Sequence, residues 1–412
     1  MDNITHSLAG LLLAESTIRL RARRPHAEPS PRFRTVAAVS SVIAANLPDA
    51  DLFYTGFGGD RLRYMLHHRG YTHTVVIAIV GALLLWYAAT FIWRWRAREA
   101  PPRDDARWLL GLLLVSTLSH LALDWTNSYG VHLFWPIDNR WSYGDAVFIV
   151  EPWLWVVSVP TLVVASTSWV TRALLALVLV AGLALAWRVE LVSTGAAAAL
   201  TTGAVIFVAL ASVLRPGGRS IAAVSGWVVV TLVMMAGAHE ARAVAIRAAH
   251  HADSTAQLLD VVVSTLPANP VCTTVITVER AGAAYRIATA RVSAAPSIAQ
   301  AISCATRATI ESTIAPSTRR STPSVHWEGE WSAPIATLAT LARENCVGLA
   351  ALRFIRVPIW RTLADSAVLL GDARFGGATG NGFTDVRLPR PPAACPTAVP
   401  PWRPPREDLL GF

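Results

Sequence analysis

Charge is scarce in this chain. Only 15% of its 412 residues are Asp, Glu, Lys or Arg, 53% are hydrophobic and mean hydropathy is +0.42. That leaves too little polar surface for a soluble protein of this length and points to an integral membrane protein. Cysteine is absent before Cys272, so no thiolate is available to a site built in the first part of the chain. A basic stretch and a small-residue cleavage site are both missing around the first apolar segment, and a removable signal peptide is not expected. There is no internal repeat. The net charge of +9 is carried by arginines clustered in short segments between apolar runs. This is a positive-inside pattern, not the basic face of a nucleic-acid-binding module. The bilayer is therefore an expected partner and nucleic acid is not.

Apolar runs occupy residues 4–18, 36–47, 75–93, 108–125, 147–165, 173–187, 196–214 and 221–238. The first two fall short of the ~20 apolar residues that cross a bilayer unaided, so they are expected to be buried in the bundle or partly re-entrant. Trp86, Trp93, Trp108, Trp125 and Trp187 stand near run ends, where interfacial aromatics belong. After His239 the pattern changes. Alternating or β-branched segments predict strands at 271–278, 285–292, 349–357, 366–370 and 383–388, with helices at 298–311 and 335–345. The proline-rich stretch 389–405 is expected to be extended and to cover little. The expected fold is an all-α polytopic membrane bundle of about six to eight helical segments followed by a small α+β soluble domain. Its parts are 1–155, further membrane helices over 156–240, and 241–412. Cys272, Cys304, Cys346 and Cys395 permit two disulfides in an oxidising compartment, with three connectivities open.

The chemistry gathers around His67-His68-Arg69-Gly70-Tyr71-Thr72-His73, just ahead of the run at 75–93. Three imidazoles within seven positions each need a partner or a metal. Further candidate ligands are His6, Asp49, Asp51, His120 and Asp124. If the arginine-rich loops at 19–34 and 94–107 face the cytoplasm, all these residues fall at the extracytoplasmic ends of their segments, together with the region after His239. His120 and Asp124 are four apart, so a helix projects both from one face. Imidazole and carboxylate without thiolate suit zinc, with manganese or iron as alternatives, and a bound divalent ion makes hydrolysis the natural reaction. The expected site holds one or two ions. Asp49 or Glu151 is the expected proton handler, and Arg69 either pairs with a carboxylate or clamps substrate phosphate.

Met1-Asp2-Asn3-Ile4-Thr5-His6, Leu47-Pro48-Asp49-Ala50-Asp51, His68-Arg69-Gly70-Tyr71-Thr72-His73 and Ser119-His120-Leu121-Ala122-Leu123-Asp124, followed by Asn127-Ser128-Tyr129-Gly130, occur in that order. Together they resemble the YdjM-like membrane-bound metal-dependent hydrolases over about the first 155 residues. The resemblance implies an inner-membrane protein with a hydrolase role; the expected function is metal-dependent hydrolysis of a lipid-linked or membrane-proximal ester, with a phosphoester favoured. The order His, Asp, His, His-x-x-x-Asp is also similar to the helical zinc-dependent phospholipases C. On that likeness His6, Asp49 or Asp51, His68 or His73, His120 and Asp124 would be ligands. Those enzymes add a His-x-x-x-Glu that this chain lacks, leaving His132, Asp145 and Glu151 as the nearby substitutes. Two other classes compete. A transporter would need broken helices with ionisable groups at the midplane. A non-catalytic regulatory protein is the other, since the resemblance carries an association with a DNA-damage repressor.

Overall fold

The computed structural model describes residues 1–24, 28–55, 60–305, 314–389 and 394–410. Helix α1 (Asn3–Ala22) starts at Asp2, whose carboxylate caps Thr5 N at 2.9 Å. Helix α2 (Pro31–Asn46) has proline in its first turn and Ser30 as its cap. Both helices run further than their apolar stretches. Helix α1 is buried in the bundle as expected: it has 20 residues and takes Glu15, Arg19 and Arg21 into its last turns. There Glu15 pairs with Arg19 at 2.6 Å, and Arg21 pairs with buried Asp105.

A 3₁₀ turn (Leu47–Asp51) continues α2 and leads to α3 (Leu52–Thr55), α4 (Arg61–His67) and a second 3₁₀ turn (Tyr71–His73). Then come α5 (Val75–Ala97), α6 (Arg103–Trp125), α7 (Pro152–Ala165), α8 (Trp169–Ala186), α9 (Thr194–Val213) and α10 (Pro216–Ala252). Among the described residues six helices are long and apolar enough to cross a membrane: residues 31–55, α5, α6, α8, α9 and α10. On α5, apolar Leu84 and Tyr87 are 65% and 67% exposed, which in this context is a lipid-facing surface. Helix α1, by contrast, is enclosed by α2, α6, α7 and α10.

Helix α10 has 37 residues, about 55 Å at 1.5 Å per residue, so it outruns a hydrocarbon core of about 30 Å. Its outer part becomes the floor of the C-terminal domain. Ala238, Ala241, Ala245 and Ala249 make a small-residue stripe against a five-stranded antiparallel sheet of order β1-β2-β3-β5-β4. These strands are β1 (Gln257–Leu266), β2 (Asn269–Ala281), β3 (Ala284–Ser293), β4 (Ala315–Pro316) and β5 (Val325–Pro334). Side chains alternate across the pleat: Val261, Val263, Val275 and Ala290 face α10. Val262, Ile276, Val278, Tyr285 and Ile287 face the other way. Gly237 marks the tightest approach, because a Cβ there would collide with the Pro270 carbonyl.

The outer sheet face is covered by α11 (Ile335–Glu344), α12 (Cys346–Leu352) and a three-stranded sheet β6-β7-β8 of Pro358–Thr362, Val368–Asp372 and Val386–Leu388. The helix α13 (Glu407–Leu410) ends the described chain. Helices α11 and α12 together are apolar, but they turn by 118° and pack inside this domain's core, so they are read as soluble structure.

Three expectations are corrected here. Residues 349–357 begin as α12, capped by Asn345, because a contiguous apolar run has no period to separate buried strand from buried helix. The helix expected at 298–311 is only a 3₁₀ turn, Ala301–Ser303, and its residues 306–311 lie outside the described residues. The strand expected at 383–388 shrinks to Val386–Leu388. Strands β1, β4, β5 and β6 match no strand expected from the sequence.

The proline-rich tail also does more than expected. Trp402 is 1% exposed, donates to Leu66 O at 2.8 Å and stacks on His132 at 3.7 Å, closing the chain over the histidine-rich segment. Disulfides join Cys272 to Cys304 and Cys346 to Cys395, the second tying this tail to α12.

Candidate metal centre

Two 3₁₀ turns and the end of α6 build the site. The turn after α2 presents Asp49 and Asp51, the turn before α5 presents His73, and one face of α6 presents His120 and Asp124. Arg69 takes a positive φ of 58°, which lets its backbone N–H donate to Asp51 Oδ2 at 2.8 Å while its side chain turns to Asp124. All of these side chains are buried, Asp49 being the most exposed at 9%.

Four atoms point at one centre: Asp49 Oδ1, His73 Nε2, His120 Nε2 and Asp124 Oδ2. His73 Nε2 lies 3.2 Å from His120 Nε2, 3.1 Å from Asp124 Oδ2 and 3.4 Å from Asp49 Oδ1. His120 Nε2 lies 3.5 Å from Asp124 Oδ2 and 3.6 Å from Asp49 Oδ1. A tetrahedral cation with ligands at 2.0–2.2 Å would separate them by about 3.3–3.6 Å.

The outward atoms of the same four residues are held by other groups. His120 Nδ1 donates to Ala45 O at 2.7 Å, which leaves its Nε2 a lone pair facing inward. His73 Nδ1 lies 3.4 Å from Asp51 Oδ2 and 3.1 Å from Thr72 Oγ1. Asp124 Oδ1 accepts from Arg69 Nη2 at 3.0 Å and lies 3.3 Å from His6 Nε2. It also pairs with the Met1 ammonium. Asp49 Oδ2 accepts from Asn3 Nδ2 at 3.3 Å. No donor reaches the buried Asp124 Oδ2 with hydrogen-bond geometry. The residues therefore fit a metal: burying carboxylate oxygens this close together is costly without a cation between them.

Electrostatics agree with that arrangement. Burial opposes charge on His73, but Asp124, Asp49 and Asp51 outweigh it and raise the imidazole from 6.5 to about 10. A proton there neutralises one contact, whereas a divalent ion would satisfy all four inward atoms. His68 moves the other way, lowered by burial against the pull of Asp51.

A second possible group, Asp49, Asp51 and His68, shares Asp49 with the first. Asp51 in this group is already engaged by His68 and by neighbours outside it. Asp51 Oδ1 lies 3.0 Å from His68 Nδ1, and Asp51 Oδ2 accepts from Arg69 N and from Thr72 Oγ1 at 3.1 Å.

The remaining expected residues lie outside the four-atom centre. His6 stacks on His120 at 3.8 Å, beside the centre rather than among the four. Glu151 does not join the cluster. It caps α7 through Trp153 N at 3.2 Å and accepts from Ala268 N at 3.2 Å, so its carboxylate is committed to joining α7 to the β1–β2 turn. His67 turns to Ala398 O at 3.0 Å, and His132 lies between Trp141 and Trp402. Asp145 is taken by Arg356 and Arg242. Thus neither His132, Asp145 nor Glu151 replaces the missing His-x-x-x-Glu ligands.

The sequence reading assigned no role to Asn127 and Tyr129, although their motif was visible. Asn127 Oδ1 accepts from Arg69 Nη1 at 3.0 Å and from Tyr129 N at 2.9 Å. Arg69 also lies over the Tyr129 ring at 4.9 Å. Every residue of this constellation falls before α9. Residues 1–197 match the YdjM inner membrane protein family. No curated protein and no solved structure is matched. The match spans the metal-site helices and ends inside α9, so the long α10 and both sheets lie beyond the YdjM region. That match and the six candidate spans among the described residues support a multi-pass inner-membrane location.

Proposed function

We propose that the protein is a membrane-bound metal-dependent hydrolase that cleaves a phosphoester of a lipid-linked or membrane-proximal substrate. The observation that carries this reading is the convergence of four inward ligand atoms whose outward atoms are all engaged elsewhere. Asp49, His73, His120 and Asp124 would hold one divalent cation, zinc being the best match to two imidazoles and two carboxylates. When bound, such an ion would supply Lewis acidity through a fifth position beside these four ligands, polarising an ester oxygen and making water a stronger nucleophile. Asp51 orients the His73 ring and takes no metal of its own, because His68, Arg69 and Thr72 already occupy its oxygens. Arg69 steadies Asp124 and brings positive charge to the rim, and Asp49, the most exposed of the four, would take the proton released by water.

The direct test uses the full chain in detergent with bis(p-nitrophenyl) phosphate and a p-nitrophenyl carboxylic ester. Phosphodiester turnover is expected to fall at least 100-fold on chelation and to return with zinc. Turnover indifferent to chelation, or confined to the carboxylic ester, would overturn the reading.

The centre is assigned to the extracytoplasmic side. Arg19, Arg34 and Thr171 border one hollow and Arg23 and Gly217 another, so the arginine-bearing connections gather at one end of the bundle. The metal cluster and the C-terminal domain occupy the opposite end, and that domain carries two disulfides. A C-terminal fusion to a reporter active only outside the cytoplasm should be active. A silent fusion beside an active cytoplasmic reporter would reverse the assignment.

A further inference from the structure

A cavity of about 380 Å³ lies against the metal cluster, between the histidine-rich segment, the loop after α6 and the C-terminal domain. Its lining includes His68 and Arg69, which touch the cluster carboxylates Asp51 and Asp124. It therefore borders the site already described, with His68 and Arg69 forming the wall between them. Three of its lining residues are at least nine-tenths buried and carry polar atoms without a partner: Arg69 Nε, Asn127 Nδ2 and Tyr129 Oη, on residues exposed by 3%, 5% and 8%.

All three atoms offer protons. The guanidinium nitrogen is donor-only. Asn127 has its amide orientation set by two donors on Oδ1, so the free end is the NH₂. Burial drives the Tyr129 phenol well above its ordinary pKa, which keeps its proton on the oxygen. Unpaired buried donors of this kind are costly unless an acceptor fills the space. Val147, Ile149, Phe375 and Phe383 make an apolar part of the wall, and His68, Ser128 and Thr265 add polar side chains to it. Ile149 is 43% exposed at its edge, just ahead of α7.

Resting on the hydrolase reading, we infer that this cavity seats a phospholipid-type substrate, its phosphoryl group on the Arg69, Asn127 and Tyr129 donors and its acyl portion along the Val147, Phe375 and Phe383 wall. Asn127 and Tyr129 are then binding residues of that site, and they select a phosphoryl group over a neutral headgroup by leaving their donors unpaired when none is present.

The test reads binding, not turnover, on metal-stripped full-length protein in detergent, with three probes: dioctanoyl phosphatidic acid, dioctanoylglycerol and inorganic phosphate. Phosphatidic acid is expected to bind at least tenfold more tightly than either of the others. Asn127→Asp, which keeps the accepting oxygen and replaces the free donor with an acceptor, should weaken that binding at least tenfold. Tyr129→Phe, which removes only the hydroxyl, should weaken it several-fold, and both variants should melt within a few degrees of the parent. Equal binding of dioctanoylglycerol, equal binding of inorganic phosphate, or parent-like binding by both variants would each overturn the inference. Because the metal is absent throughout, failure here leaves the chelation result untouched. Failure to carry a metal leaves this binding result untouched in turn.

Discussion

His73→Ala is expected to empty the metal centre: the purified parent should carry about one equivalent of divalent metal, and the variant less than a tenth of that. The reason is geometric. His73 is the one residue whose ring reaches all three carboxylates, at 3.1 Å to Asp124, 3.4 Å to Asp49 and 3.4 Å to Asp51. Its loss removes a ligand atom and also the link between the inward four and Asp51. Asp51→Asn keeps all four ligand atoms and disturbs only the support of His73, so metal affinity should drop by about 10–100-fold without vanishing. Elemental analysis against a zinc-buffer titration separates the two. Full metal occupancy in His73→Ala with an unchanged melting curve would sink the four-ligand assignment.

Arg356→Ala should destabilise the protein by about 3 kcal/mol at neutral pH, because it removes the main partner of buried Asp145 and of partly buried Asp260, leaving Arg242 to the first and the more distant Arg406 to the second. Arg356 Nη1 lies 3.0 Å from both oxygens of Asp145 in the loop after α6. Its Nε and Nη2 reach Asp260 on β1 at 2.9 and 3.1 Å. The guanidinium also sits 4.1 Å above the Tyr143 ring. One side chain thus ties the membrane part to the sheet domain.

Burial works against the charge on Asp260, but Arg356 and Arg406 outweigh it and hold its pKa below the ordinary carboxylate value. A carboxyl depressed in the folded state contributes stability above its unfolded pKa, about 3.9, and loses it as pH falls through the folded value. The gap between parent and Arg356→Ala should therefore be widest at pH 7 and narrow below about pH 4. Thermal unfolding in detergent across that range checks it, and a gap constant with pH would mean that packing on Tyr143, not the ion pair, accounts for the loss.

Much of the membrane part was legible because apolar length and arginine clustering act locally. The 23 residues of α5 announce themselves by composition, and His120 with Asp124 needs only helical spacing to share a face. Other features depended on partners far away in the chain. Helix α1 reaches 20 residues because Arg21 finds Asp105 on α6, a compensation invisible in a window of sequence. The run at 349–357 opens as helix α12 because a disulfide and the Asn345 cap anchor its start. Glu151 looked available for proton transfer from its place before Pro152. The β1–β2 turn, more than a hundred residues on, claims it through Ala268.

The sequence by itself determined that this is a polytopic membrane protein, and it named the histidines and aspartates that meet at one end of the bundle. Hydropathy and charge are summed along the chain, so they survive without coordinates. Only the tertiary structure decided which oxygen of Asp124 faces inward, that Asp51 supports His73, and that Asn127 and Tyr129, each with an unpartnered buried donor, border one cavity. Each of those depends on the direction of a side chain relative to neighbours from other elements, and direction is set by packing rather than by order in the chain.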